Sequence, residues 1–181
     1  MKIMSSICGL LISSTLVVNT QAGEVCYTPQ WGSAMTMCTP KFDTDGNLLS
    51  PCPEMLGQFH LVMKKVSEGP GTRRLKLEGP MHGVINPDQT LNHILGDDRA
   101  RGLIYTFGDT LVEYIPLDNC TVKVKEELYI GMGTGKFAGA NGRITVSGEL
   151  NTCTGVNEFD IDPNDDQVCF DQTSPNHRKE D

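Results

Sequence analysis

The feature that most constrains the fold is an alternation of apolar and polar residues with a period of two. It is clear in RRLKLEGPM, residues 73–81, and recurs in FHLVM, GLIYTF, LVEYI, CTVKVKEELYI and GRITVSGEL. Alternation places successive side chains on opposite faces of a strand, so each stretch predicts a strand with one buried face. The turn sequences EGPG, NPDQ, GDD, FGD, LDN and GAN separate these stretches. The sequence therefore predicts an antiparallel β-sandwich or β-barrel.

The first 22 residues have the layout of a secretory signal. Lys2 precedes the apolar stretch ICGLLISSTLVV, which is too short to span a bilayer, and small residues end the segment near Ala22. We expect cleavage after Ala22 and a secreted or periplasmic protein. In the remaining chain we expect an irregular, disulfide-tethered segment over 23–57 because prolines interrupt it, a β-barrel domain over 58–172, and a disordered tail over 173–181.

Six of the seven cysteines lie beyond the expected signal: Cys26, Cys38, Cys52, Cys120, Cys153 and Cys169. An even number of cysteines in an exported chain predicts disulfides, here three. We expect Cys153 to pair with Cys169 across the acidic loop between them. We also expect at least one bridge from the three N-terminal cysteines to the body of the domain.

The charge of the chain limits its partners. The formal net charge is −8 at pH 7, which disfavours phosphate backbones and anionic membranes. We therefore expect no nucleic-acid partner, and no membrane partner once the signal is removed.

A run of glycines over IGMGTGKFAGANGRITVSGEL, residues 130–150, raises the question of a phosphate-binding loop. A Walker loop needs Ser or Thr after Gly135-Lys136, but Phe137 stands there. A dinucleotide-binding fingerprint needs a helix after its glycines, but a strand pattern follows here. The run instead predicts a strand ending near Ile130, a turn with a buried Phe137, and a return through residues 139–142 into the next strand.

The same residues resemble a known family. GTGKFAGANGRITVSG, following EELYIGM, resembles the G-T/S-G-x-F-x-G-A-x-G signature of the allene oxide cyclase and dirigent superfamily, and GLIYTFGD is similar to an earlier strand of that fold. The resemblance covers residues 58–150. It implies an all-β, antiparallel, eight-stranded closed barrel around an apolar cavity, which binds or cyclises lipid-derived or phenolic molecules without a cofactor. No catalytic residues carry over, because the cavity residues of the plant cyclases match no identified position of this chain.

One acidic residue breaks an apolar strand face. In CTVKVKEELYI, alternation places Glu126 on the same face as Val122, Val124, Leu128 and Ile130. A carboxyl that faces an apolar barrel interior has a raised pKa and can serve as a general acid or a ligand anchor. Alternatively, a β-bulge at Glu126 and Glu127 turns both acids to solvent, or Glu126 lies at the barrel mouth.

The histidines give no metal-binding pattern, because His60, His82, His93 and His177 lie in different segments without repeated spacing. The segment DTDGNLLSPCPE has Leu48 where a calcium loop needs Gly. We therefore expect no metal site, and we leave open whether the acidic loop DIDPNDDQ, residues 160–167 with Asp160, binds calcium weakly or is only solvated.

Three functions stay open, of which the second is implied by the family resemblance. The first is a barrel that binds a small hydrophobic molecule, with Glu126, Tyr105 and Tyr114 as candidate ligand-binding residues. The second is a cofactor-free cyclase or isomerase that uses Glu126. The third is a structural or host-interaction protein with a filled barrel.

Overall fold

A computed structural model describes residues 23–45, 48–66, 74–99, 101–162 and 166–171. The signal expected over 1–22 and the tail expected over 173–181 lie outside the described residues. In the described ranges the only helical piece is a 3-10 turn at Gly135–Phe137, and no helix there is long and apolar enough to span a membrane. The ten strands are β1 Glu24–Phe42, β2 Leu48–Lys65, β3 Arg74–Ile85, β4 Leu91–Gly96, β5 Leu103–Thr106, β6 Thr110–Pro116, β7 Thr121–Gly133, β8 Asn141–Asn151, β9 Val156–Ile161 and β10 Val168–Asp171.

Antiparallel pairing closes these strands into a barrel. The order around the ring is β1, β2, β3, β4, β5, β7, β8 and β9, and β9 pairs again with β1. The two other strands extend positions of this ring. β5 and β6 pair with different parts of β7, and β10 pairs with β8 and β1, the same two strands that β9 joins. The result is the expected closed, eight-stranded antiparallel barrel, in which closure removes exposed strand edges.

The core fills the inside of this ring. In β7 the residues from Val122 to Ile130 alternate strictly between buried and less buried positions, as a strand with one inward face requires. The buried apolar cluster includes Phe59, Leu61, Met63, Leu77, Met81, Leu95, Ile104, Val124, Leu128, Phe137, Ile144, Phe159, Val168 and Phe170.

The segment over 23–57 is not irregular, as expected from its prolines, but mostly strand. β1 and the first half of β2 pair with each other along most of their length, and β1 also pairs with β9. The strand register shifts between Pro29 and Trp31 and again between Thr39 and Lys41. Pro29 borders the first irregularity and Pro40 lies within the second, and at such positions the missing N–H of proline disrupts the ladder least. The barrel therefore begins at β1 rather than at residue 58.

Three disulfides join Cys26 to Cys169, Cys38 to Cys52, and Cys120 to Cys153. The expected bridge from the N-terminal cysteines to the body is confirmed by Cys26–Cys169. The expected pair Cys153–Cys169 is wrong, because the two cysteines lie at opposite ends of the barrel. Cys169 lies opposite Cys26 in the β1–β10 ladder, whereas Cys153 in the β8–β9 turn faces Cys120 beside β7. Three intramolecular disulfides fit an oxidising extracellular or periplasmic environment.

The glycine run connects two strands, as predicted. β7 continues to Gly133, three residues beyond the expected end, and β8 begins at Asn141. Phe137 is buried between them. A Cβ atom on Gly133 would lie 1.9 Å from the Phe137 carbonyl oxygen, so only glycine permits this close approach.

Candidate functional site

Glu126 points into the barrel, with a relative exposure of 2%. The β7–β8 register runs without interruption through Glu126 and Glu127, which lie opposite Val146 and Thr145. The register shift nearby belongs to β6, between Leu111 and Glu113. The alternative of a bulge at Glu126 and Glu127 is therefore wrong, and strict alternation places the carboxyl inside.

Two further polar side chains meet Glu126 in the interior. His93 comes from β4, and Asp109 lies just before β6. Both are buried, with side-chain exposures of 2% and 0%. His93 Nδ1 lies 2.8 Å from Asp109 Oδ2 and 3.8 Å from Glu126 Oε1. We call His93, Asp109, Glu126 and the neighbouring Thr106 the interior polar cluster.

Asp109 holds this cluster together by accepting several hydrogen bonds. A carboxylate only accepts, so His93 Nδ1 is the donor in the contact with Asp109 Oδ2. The Thr106 hydroxyl donates to the same oxygen, and the Tyr129 N–H donates to Oδ1 at 2.7 Å. Thr106 Oγ1 also accepts the backbone N–H of His93 at 2.7 Å. The ring and the backbone of His93 are thus both fixed.

The backbone around the cluster explains this placement. Leu91 and Asp109 exchange both backbone hydrogen bonds, at 2.8 and 2.9 Å, which ties the start of β6 to β4. Gly83 on β3 leaves room for the imidazole, since a Cβ atom there would lie 2.9 Å from His93 Cδ2 and Nε2. A side chain at Gly83 would displace the His93 ring.

Glu126 is the unsatisfied member of the cluster. Its Oε1 atom is buried and has no hydrogen-bond partner among the described residues. Burial raises the pKa of Glu126 to about 7, against the opposing effect of His93 and with a smaller contribution from the charge of Asp109. Near neutral pH this carboxyl therefore exchanges readily between acid and carboxylate, which is the property that a general acid or base needs.

Two cavities of very different size touch Glu126. The first, inside the barrel, has a volume of about 30 Å³ and is otherwise lined mainly by apolar side chains such as Leu61, Leu128 and Phe159. The second, which we call the end pocket, has a volume of about 590 Å³. It opens at the barrel end that carries the β3–β4 turn, the β8–β9 turn and the Cys38–Cys52 disulfide. Its lining includes Met55, Ile85, Leu91, Leu111, Tyr114, Glu126, Leu150, Asn157 and Phe159.

The two candidate tyrosines have different positions. Tyr114 is 59% exposed and lines the end pocket. Tyr105 alternates with the buried Ile104 and Thr106, so its ring lies on the outer face, where it stacks on Phe107 with ring centroids 6.5 Å apart. Tyr105 was expected in the cavity, but its position in β5 directs it away from the interior.

Sequence reasoning missed His93, Thr106 and Asp109. One signal was available, because Leu91, His93 and Leu95 alternate in LNHILG and place His93 on the inward face of β4. The contribution of Asp109 depends on a turn between β5 and β6 that the sequence pattern does not specify. Histidine spacing could not find the cluster, because its members come from separate strands.

No protein-family description, curated protein or solved structure matches this chain. The function must therefore be argued from the site itself.

Proposed function

We propose that this protein is a secreted or periplasmic β-barrel that binds a small hydrophobic molecule in the end pocket. The observation that carries the proposal is a largely apolar pocket of about 590 Å³ with the buried carboxyl of Glu126 in its lining. Pockets for small ligands have volumes of about 300 to 1,000 Å³, apolar walls and a few placed polar groups. The end pocket has all three properties.

The end of the barrel suits a ligand better than its centre. The interior cavity of about 30 Å³ has room for little more than a water molecule. The sequence led us to expect an apolar cavity inside the barrel, and we now propose that the ligand binds above the filled core. Glu126 remains part of the site because its side chain borders both spaces.

Glu126 gives the pocket a preference for ligands that carry a hydrogen-bonding oxygen atom. In its neutral form the carboxyl donates one hydrogen bond, and Tyr114, a side chain with a hydroxyl, is also in the lining of the pocket. A ligand with an apolar body and a carbonyl or hydroxyl oxygen would satisfy these groups. The resemblance of residues 58–150 to the allene oxide cyclase and dirigent superfamily supports a ligand of this type. The signal-like segment over 1–22 and the three disulfides support the proposed location.

A titration with the apolar fluorescent probe N-phenyl-1-naphthylamine tests binding at the end pocket. Leu111 lines the pocket, whereas its exposed neighbour Val112 does not appear in the lining. We expect Leu111→Arg to weaken probe binding by about tenfold or more, because it places a charge in an apolar site. Val112→Arg is the matched control and should bind as the wild type does. Equal binding by both variants, or no saturable binding by the wild type, would exclude the end pocket.

A cofactor-free cyclase or isomerase of the allene oxide cyclase type is the second candidate. The buried pair His93–Asp109 beside a carboxyl with a pKa of about 7 favours it, because these groups can hold and transfer protons without a cofactor. Incubation with an unstable fatty-acid allene oxide would test it. An enzyme would yield one product enantiomer in excess, and Glu126→Gln would abolish the excess.

The third function, a structural or host-interaction protein, is supported by the filled barrel interior. It predicts that the wild type neither binds the probe nor changes the product ratio. The two experiments together therefore separate all three functions.

A further inference from the structure

We propose that His93, Asp109 and Glu126 form a binding site for one divalent transition-metal ion, with Zn²⁺ as the ion to test first. The proposal goes beyond the binding of a hydrophobic molecule and does not depend on it. It rests on the arrangement of three ligand atoms inside the barrel.

The three side chains converge from separate parts of the barrel wall on one point. One ligand atom from each residue lies within 4.8 Å of the other two. His93 Nδ1 is 2.8 Å from Asp109 Oδ2 and 3.8 Å from Glu126 Oε1. Zinc binds nitrogen and oxygen ligands at about 2.0 to 2.2 Å, which puts tetrahedral ligand atoms about 3.3 to 3.6 Å apart. The observed distances fall on either side of this range, so small side-chain rotations suffice for binding.

The charges of the cluster also favour the binding of a cation. Two carboxyl groups are buried beside one imidazole, and His93 is the only ion-pair partner of Asp109 or Glu126 within the described residues. Glu126 Oε1 is buried without a hydrogen bond from any residue that the structure describes. A buried carboxylate oxygen without a hydrogen bond is costly, and a divalent ion would compensate both acidic groups at once. Glu126 Oε1 is therefore the ligand atom that the hydrogen bonds among the described residues do not use.

Hydrogen bonds from neighbouring residues already orient the other two metal ligands, His93 and Asp109. Thr106 and the backbone N–H of Tyr129 hold the Asp109 carboxylate, and Thr106 also holds the backbone of His93. Such contacts are typical of the residues around metal ligands. A metal at Nδ1 would replace the hydrogen bond from Nδ1 to Asp109 Oδ2, so the proton of the neutral imidazole would then lie on Nε2.

The ligand set favours zinc over calcium. Calcium takes six to eight oxygen ligands, whereas one imidazole and two carboxylates suit zinc and related ions. Three protein ligands also leave a fourth coordination position for water or for a ligand atom. Glu126, the one ligand of the three in the lining of the end pocket, is the residue that an ion from solvent would meet first.

Calorimetric titration of the purified, disulfide-bonded protein with ZnCl₂, after treatment with EDTA and its removal, tests the site. We expect one Zn²⁺ per chain. Glu126→Gln should weaken zinc binding by about tenfold or more. Even residues that only hydrogen-bond to a metal ligand contribute about 10- to 100-fold to metal affinity, and Glu126 would be a ligand itself. Glu127→Gln is the matched control, because Glu127 is next in the chain but bonds to Tyr129 and Arg143 on the outer side. It should bind zinc as the wild type does.

Co²⁺ provides a second readout that distinguishes this site from histidines elsewhere. We expect tetrahedral visible absorption bands in the wild type and in Glu127→Gln but not in Glu126→Gln. Circular dichroism must show that the Gln variants fold, and their near-isosteric side chains make folding the expected result. Absence of saturable zinc binding, or equal affinity in the wild type and folded Glu126→Gln, would overturn the proposal. Binding of the fluorescent probe is measured separately, so either proposal can fail alone.

Discussion

Glu126 occupies an inward position of β7 between Val124 and Leu128, where the strand pattern otherwise places apolar side chains. Alternation in the sequence identified the inward face of β7 and so gave burial of Glu126 as one of two possibilities. It did not decide between burial and a bulge, because a bulge depends on the pairing of a neighbouring strand. The structure places the bulge in β6, opposite Glu126, and so leaves the carboxyl inside.

The first prediction concerns the pH dependence of stability in the metal-free protein. Burial raises the pKa of Glu126 from 4.5 to about 7 on folding, so the folded state binds the proton more tightly than the unfolded state does. The stabilising effect is present below pH 4.5 and is lost as pH rises through 7. Between pH 5 and 8, Glu126 should reduce the free energy of unfolding by about 2–3 kcal/mol.

Urea denaturation of the wild type and Glu126→Gln at both pH values, with EDTA present, measures this effect. The Gln variant lacks the titrating group, so the difference in unfolding free energy between the two proteins should change by that amount. Other acidic groups titrate in both proteins and cancel in the comparison. A difference that stays constant from pH 5 to 8 would show that Glu126 is not buried in a dry site.

The second prediction concerns Thr106, whose hydroxyl bonds to Asp109 and to the backbone of His93. Thr106→Val keeps the shape but removes both hydrogen bonds, and should lower the free energy of unfolding by about 1–3 kcal/mol. Thr106→Ser keeps the hydroxyl and should lose much less. Equal losses in the two variants, measured by urea denaturation, would mean that the methyl group and not the hydroxyl matters.

At the scale of elements, the sequence predicted most of the strands but not the residues at which they begin and end. Alternation located β3, β5, β7 and β8, because each has one apolar face. It failed for β1, where prolines suggested irregular chain, because the cost of proline depends on whether the register is already broken at that point. The pairing of Cys153 failed for a similar reason, since partners in a closed barrel are set by strand order rather than by proximity in sequence.

The glycine turn between β7 and β8 gives a prediction at this scale. Gly135 and Gly108 both have left-handed backbone angles, with φ of 58° and 67°. A Cβ atom on Gly135 would lie 2.3 Å from the Arg101 carbonyl oxygen, whereas one on Gly108 would meet nothing within 4 Å. Gly108→Ala should therefore cost only the backbone strain of about 1–2 kcal/mol, and Gly135→Ala should cost clearly more.

Thermal and urea denaturation of the two alanine variants would measure these costs. Because the turn connects strands and has no phosphate-binding pattern, ATP and NAD should leave the melting temperature of the wild type unchanged. Equal destabilisation by the two substitutions would contradict the close packing of the turn against Arg101. A concentration-dependent shift with either nucleotide would contradict its structural role.

At the scale of the whole molecule, the disulfides divide between the two ends of the barrel. Cys38–Cys52 lines the end pocket, and Cys120–Cys153 joins two turns at the same end. Cys26–Cys169 ties β1 to β10 at the opposite end, across a sequence separation of 143 residues. Closure of the barrel was expected only from the family resemblance, because alternation alone cannot distinguish a barrel from a sandwich.

These separations predict unequal contributions to stability. In the chain-entropy description a disulfide stabilises by restricting the unfolded chain, more for a longer loop. Cys26→Ser with Cys169→Ser should lower the free energy of unfolding by about 5 kcal/mol, and Cys38→Ser with Cys52→Ser, whose separation is 14, by about 3 kcal/mol. Denaturation of both double variants measures the costs, and the reverse order would contradict this account.

The central claim is that the end pocket holds a small hydrophobic molecule, and native mass spectrometry of the protein purified from its own host tests it most directly. We expect part of the wild-type protein to carry a non-covalent small organic molecule that is released on collisional activation. We also expect that Leu111→Arg carries none, while Val112→Arg carries it as the wild type does. If all three samples show only the mass of the protein without a bound molecule, or if all three carry the same molecule, the end pocket does not hold a ligand as proposed.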